Sequence, residues 1–226
     1  MIIKVEKPFC DLKIGLLGFR HDLLEKVLKE FKVDNYSVLV DHQQIDSSLD
    51  LVFLSGVHYI LPEEPLNKST YGVYCFHESP LPEGRGSAPI QWAVSNKRPN
   101  LTVSLFKANT KIDKGYIVTQ INMPILPSDV YEQLEIKRRV GIQKAFKVML
   151  EELQQGAIVL REQTGSTSYN KKRTAKDSEL SVDKSLKELW DEIRVCDNDK
   201  FPAYFILNNK KITLTYKVED LNDHSN

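Results

Sequence analysis

Four short apolar runs occupy the N-terminal third of the chain: Leu12 to Gly18, Tyr36 to Val40, Leu49 to Leu54 and Tyr71 to Phe76. They are too short for helices and too continuously apolar for strands with one wet face, so they read as strands buried on both sides. Between the first two, Leu23, Leu24, Val27, Leu28 and Phe31 recur at helical spacing on a polar background. Strand, helix and strand in that order, with no polar alternation in the strands, implies a parallel sheet covered by helices on both faces.

The pattern continues downstream. Pro80 to Pro89 holds three prolines and two glycines and is expected to form neither helix nor strand. Ile90 to Val94 resumes a helical pattern, and Leu101 to Phe106 and Tyr116 to Ile125 read as strands joined by a turn around Lys111 to Gly115. Ser128 is placed to cap a long helix bearing Val130, Leu134, Ala145 and Val148 and stopping at Gly156. Residues 163–181 are polar and read as a loop or extended arm. Ser185 and Glu188 form a capping box ahead of Leu186, Leu189, Trp190 and Ile193, and Asn208-Asn209 between two apolar runs signals a β-hairpin. The fold class expected is α/β: a Rossmann-like, mostly parallel sheet over residues 1–156, then a C-terminal extension over 157–226 with a helix and a β-hairpin.

Charge and cysteine usage limit the function. Lys+Arg and Asp+Glu stand at 31 each, so the chain lacks the cation surplus with which nucleic-acid binders displace phosphate counterions. A nucleic-acid partner is not expected. The three cysteines, Cys10, Cys75 and Cys196, form no CxxC pair, which fits reduced thiols in a cytoplasmic protein without a metal site. No stretch approaches the ~18 apolar residues of a membrane span.

The segment YCFHESPLPEGRGSAPIQWA, Tyr74 to Ala93, carries the chemistry. His77 follows a parallel strand, where α/β folds open their ligand crevice. Arg85 is suited to a bidentate grip on a carboxylate or phosphate. Asp113 lies in the turn before another strand, and a carboxylate beside a histidine can hold its ring or accept a proton. Taken alone, the two also fit a structural histidine and an ordinary turn.

The pattern HxSxLPxxRGxxPxxWA, followed 36 residues after its histidine by DxG, resembles the signature of the N10-formyltetrahydrofolate-dependent formyltransferases. His77, Ser79, Leu81, Pro82, Arg85, Gly86, Pro89, Trp92, Ala93, Asp113 and Gly115 carry the match. The resemblance implies that N10-formyltetrahydrofolate is the formyl donor and that no metal is needed. It further implies that His77 donates towards the oxyanion formed as an amine attacks the formyl carbon. Asp113 then orients that histidine and helps move protons between amine and folate nitrogen. Leu81, Arg85 and Gly86 join the donor side. Ser55, Gly56, His58, Tyr59 and Ile60 resemble the segment lining the pterin pocket, where main-chain groups do much of the recognition. One position departs: the family usually has Asn two residues before the histidine, and here it is Cys75, a weak donor at an oxyanion contact.

Among the family, the sugar N-formyltransferases fit best. The loop Gly15 to Arg20 lacks the GxGTN character of glycinamide ribonucleotide enzymes, and the 226 residues do not include the basic C-terminal domain of methionyl-tRNA formyltransferases. The expected acceptor is the amine of a dTDP- or GDP-linked amino deoxysugar. Ser79, Trp92, Tyr169, Lys171 and Arg173 are the candidate acceptor contacts, and the extension could support a homodimer. A silent folate or nucleotide binder, and an enzyme for another amine, stay open as alternatives.

Overall fold

The computed structural model describes residues 1–219; the last seven positions of the expected extension, 220–226, lie outside the described residues. The elements run β1 Ile2–Lys4, β2 Ile14–Leu17, α1 His21–Glu30, β3 Tyr36–Leu39, β4 Leu51–Leu54, α2 Glu63–Leu66, β5 Gly72–His77, β6 Arg85–Gly86, α3 Pro89–Ser95, β7 Asn100–Lys107, β8 Ile117–Pro124 and α4 Tyr131–Gln154. After these come β9 Ala157–Val159, β10 Tyr169–Asn170, α5 Leu186–Ile193, β11 Ala203–Leu207 and β12 Lys210–Leu214.

A six-stranded sheet in the order β3-β2-β4-β5-β7-β8 forms the centre. The first four strands are parallel and the last two antiparallel. Ile14 to Leu17 and Leu51 to Leu54 are buried without interruption, as continuous apolar sequence predicts, but β3, also expected to be buried, is an edge strand with Ser37, Val38 and Val40 exposed. Helices α1 and α4 close one face around Leu24, Leu28, Phe53, Tyr74, Phe146 and Leu150. Phe53 and Phe146 meet edge to face with centroids 4.7 Å apart, a geometry favoured by the ring quadrupoles. The other face packs Leu39, Ile45, Val52, Leu54, Leu61, Leu66 and Val73, with α2 as its only helix among these residues.

Several local expectations are corrected. Ser128 does not cap α4. The helix starts at Tyr131, the Gln133 amide oxygen accepts from Val130 N–H at 3.2 Å, and the Asp129 carboxylate accepts from Leu126 N–H and pairs with Lys137. The 80–89 loop is not wholly irregular: Arg85–Gly86 pairs in parallel with Tyr169–Asn170 from the 163–181 arm. Ile2–Lys4 forms a strand that pairs with β9. The second hairpin strand starts at Lys210 rather than Ile212, while Asn208 and Asn209 take φ of 46° and 59°, the left-handed pair a tight two-residue hairpin turn requires. Among the described residues, no helix is long and apolar enough to cross a membrane.

Candidate active site

His77 ends β5 and its side chain is buried. Its Nε2 lies 2.9 Å from the Gly84 carbonyl oxygen, which also accepts from Asn170 Nδ2 at 3.1 Å. A carbonyl can only accept, so Nε2 must carry a hydrogen and Nδ1 is left as the nitrogen that can exchange a proton. Nδ1 faces Asp113 Oδ2 at 3.6 Å. That is ion-pair distance, longer than a formed hydrogen bond, and catalytic contacts in unliganded proteins are commonly long in this way.

Asp113 is held from the backbone. The Gly86 N–H donates to its Oδ2 at 2.8 Å, and its φ is +47°, a left-handed conformation that ordinary side chains take at a cost. Gly86 has φ +99°, and a Cβ there would lie 2.5 Å from the Asn170 carbonyl oxygen, so only glycine lets the amide approach both the carboxylate and the 163–170 strap. The imidazole from one strand end and the carboxylate from a turn 36 residues later therefore face each other.

Cys75 lies two residues before His77, on the same face of β5, and packs against Leu81, Phe106 and Ile117. Burial first, then the negative charges of Asp113 and Glu78, push its thiol well above the usual range. The nucleophilic form of cysteine is the thiolate, so this thiol is not poised for attack.

The remaining predicted residues divide. Arg85, expected to grip a ligand, turns into the protein instead: one Nη donates to the Tyr169 hydroxyl at 3.2 Å and the other to Gln163 Oε1, leaving only Nε without a partner. Leu81 is core, with its carbonyl accepting from Gln120 at 3.1 Å. Ser55 is fully buried with its hydroxyl unpartnered, a polar atom available beside the end of β4. Tyr59 and Ile60 stand exposed, and the His58 ring lies 5.2 Å from that of Phe19, so 55–60 forms an open lip rather than a closed wall.

Ser79 is buried with its hydroxyl unpartnered, in a small cleft shared with Trp92 and Asn170. Trp92 donates through Nε1 to the Lys171 carbonyl at 3.0 Å. Tyr169 is exposed. Lys171 Nζ pairs with Asp177 at 2.7 Å and Arg173 donates to the Asp177 carbonyl at 2.6 Å, so both cations already serve their own loop. The Lys171 hydrogen bond first, then those from the Thr174 N–H and hydroxyl, hold the Asp177 carboxyl below the ordinary carboxylate range.

Sequence reasoning missed the strap. Ser168 Oγ accepts from Gly84 N–H at 2.9 Å, the Ser168 carbonyl accepts from Arg85 N–H at 3.0 Å, and Gln163 and Asn170 reach the same loop. A second, larger cavity of about 360 Å³ lies where α2 and the foot of β5 meet the segment after β7, lined by Leu66, Ser69, Gly72, Lys107, Ala108 and Thr110 among others. The segment that lines it runs on to Asp113. Among the described residues, no group of three or more His, Cys, Asp or Glu could hold a metal ion.

Residues 39–150, which include both His77 and Asp113, match the model of the family described as formyl transferase. A methionyl-tRNA formyltransferase from Thermotoga neapolitana is 32% identical over 77% of this chain and 56% of its own length. The chain thus spans little more than half the length of the curated relatives it matches. Among solved structures, a 4-N formyltransferase from Francisella tularensis superposes with a TM-score of 0.76 at 16% identity, over 93% of this chain and 99% of that one. The formyltransferase PseJ from Anoxybacillus kamchatkensis, in complex with UDP-4,6-dideoxy-4-formamido-L-AltNAc and tetrahydrofolate, superposes at 0.61 and 23% identity over 71% of this chain and 85% of that one. At these identities the superpositions speak for the fold, and they agree with the sequence match: the chain belongs to the formyl transferase family.

Proposed function

We propose that this chain transfers a formyl group from N10-formyltetrahydrofolate to the amine of a nucleotide-linked amino deoxysugar, dTDP- or GDP-linked. The observation that carries the reading is the His77–Asp113 pair at the carboxyl end of β5, in a chain of this family. When bound, the donor supplies the formyl carbon as electrophile. The amine attacks this carbon and the bond from the carbon to the folate N10 breaks. Asp113, anchored by Gly86, takes the proton that the amine sheds, and His77, with Nε2 fixed on Gly84, relays a proton through Nδ1 to the leaving N10.

The residues present fit a folate donor. Ser55 offers an unpartnered buried hydroxyl beside the 55–60 lip, beyond the carboxyl end of β4 and on the same edge of the sheet as His77. The tetrahydrofolate bound by PseJ supports the same donor here, and its UDP-linked sugar supports a sugar-nucleotide acceptor. In this reading residues 1–156 hold the transfer machinery and the extension from 157 on supplies an acceptor contact from the exposed Tyr169. Exposed Ile206, Leu207 and Ile212 give a homodimer its surface.

A second acceptor is favoured by one observation. The relative that is 32% identical acts on methionyl-tRNA by its name, so that substrate belongs in the same assay. The test is to incubate the protein with N10-formyltetrahydrofolate and a panel of dTDP- and GDP-amino sugars and methionyl-tRNA, following release of tetrahydrofolate. Turnover with one amino sugar supports the proposal, turnover with the tRNA alone replaces it, and folate binding without turnover on any amine leaves a silent binder.

Cys75→Asn restores the usual amide. It should raise turnover or leave it intact, with ~10²–10³ as the ceiling, the range that removal of one oxyanion donor costs elsewhere. A collapse of steady-state turnover would mean that the thiol itself is used.

A further inference from the structure

We infer that Gln163 is a positioning residue for the transfer reaction, holding Asp113 against His77 through the backbone of the 113–115 turn. The inference rests on the formyl-transfer reading above. Gln163 lies on the strap, outside the sequence motif. Its Nε2 donates to the Asp113 carbonyl at 2.9 Å and to the Gly115 carbonyl at 2.8 Å, while its Oε1 accepts from Arg85 Nη2.

Every partner dictates the amide's orientation: two carbonyls can only accept and a guanidinium can only donate. Both N–H groups and the oxygen are used, so a ligand gains nothing by displacing this side chain. The amide links the Arg85 side chain to the 113–115 backbone, and the same two segments meet again one step further on, where Gly86, the neighbour of Arg85, donates to Asp113 Oδ2. Asp113 is thereby gripped twice, at its carboxylate by Gly86 and at its carbonyl by Gln163. A residue at φ +47° needs such external restraint, because its own backbone preference pulls the turn towards ordinary conformations. Without Gln163 the turn can relax and carry the carboxylate away from Nδ1, from which it is already 3.6 Å distant. Half-buried on an irregular segment, Gln163 adds little to the apolar core.

The test uses Gln163→Met, which removes all three bonds at similar size, and Gln163→Glu, which keeps the acceptor for Arg85 but loses both donors. In either variant kcat should fall about tenfold or more while the donor KM changes by less than about twofold. Adding either change to Asp113→Asn should cost less than about a further twofold, since the residue acts through Asp113. Exchange of the Gly86 amide hydrogen, read by NMR, should speed up by about tenfold as its acceptor is freed. A kcat within about twofold of wild type, or an equal loss in the Asp113→Asn background, overturns the inference. Should Gln163→Met fail to fold, Gln163→Glu decides. If the wild-type protein turns over none of the amines, the functional reading fails on its own, and unchanged Gly86 protection in a folded variant separately overturns the role of Gln163.

Discussion

Replacing His77 with asparagine will lower turnover by about 10²–10⁴-fold, the range over which a positioned acid–base group contributes. Two contacts change at once. The Gly84 carbonyl loses the Nε2 donor and keeps only Asn170, and the group facing Asp113 Oδ2 no longer has a ring nitrogen that can take up and give back a proton. The loss should fall on kcat rather than on the donor KM, because the imidazole is proposed to act in the transition state and not in holding the donor. Steady-state release of tetrahydrofolate, with circular dichroism to verify the fold, makes the measurement. Retention of activity within about tenfold, in a folded protein, would remove His77 from the chemistry.

Gly115→Ala should be the most damaging single methyl group in the molecule. A Cβ at this position would sit 1.5 Å from the Lys107 carbonyl oxygen and 2.7 Å from its carbon, both backbone atoms that no rotamer change can move aside. The hairpin between β7 and β8 is closed here by Lys107 N–H donating to the Tyr116 carbonyl at 2.8 Å. Relieving the overlap must open that bond and the Gln163 contact to Gly115 together. We expect a loss of at least about 4 kcal/mol, in the exceptional range for point mutants, and a fall in Tm of roughly 10 °C. Gly165→Ala is the control: nothing lies within 4 Å of its Cβ, and only the φ of +101° opposes the change. It should cost about 1–2 kcal/mol. Equal melting temperatures for the two variants would contradict the steric account.

Much of this was legible in the chain itself, for identifiable reasons. A strand buried on both faces must be apolar throughout, so Leu51 to Leu54 announces itself. Asn208-Asn209 is readable because a two-residue hairpin turn needs positive φ twice, and asparagine tolerates it. His77 and Asp113 stood out through a dense run of fixed residue types. What was hidden depends on partners far away in sequence. Gln163 bonds to residues 48 to 78 positions distant, and Asn170 to one 86 positions distant; one glutamine or asparagine in a polar tract carries no local sign of such a partner. Arg85 shows the converse: its type suggested a ligand grip, but Gln163 and Tyr169 had already taken its forked donors. Ser128 had the right chemistry for a cap and lost the position because Gln133 and Asp129 satisfied the nearby backbone first.

The pairing of β1 with β9 has a consequence for how the molecule is made. Ile2 to Lys4 are synthesised about 155 residues before their partners Ala157 to Val159. Until then the N-terminal strand has an open edge, which invites pairing with other nascent chains. Chaperone demand during translation should therefore concentrate on this end of the chain and vanish once the ninth strand emerges.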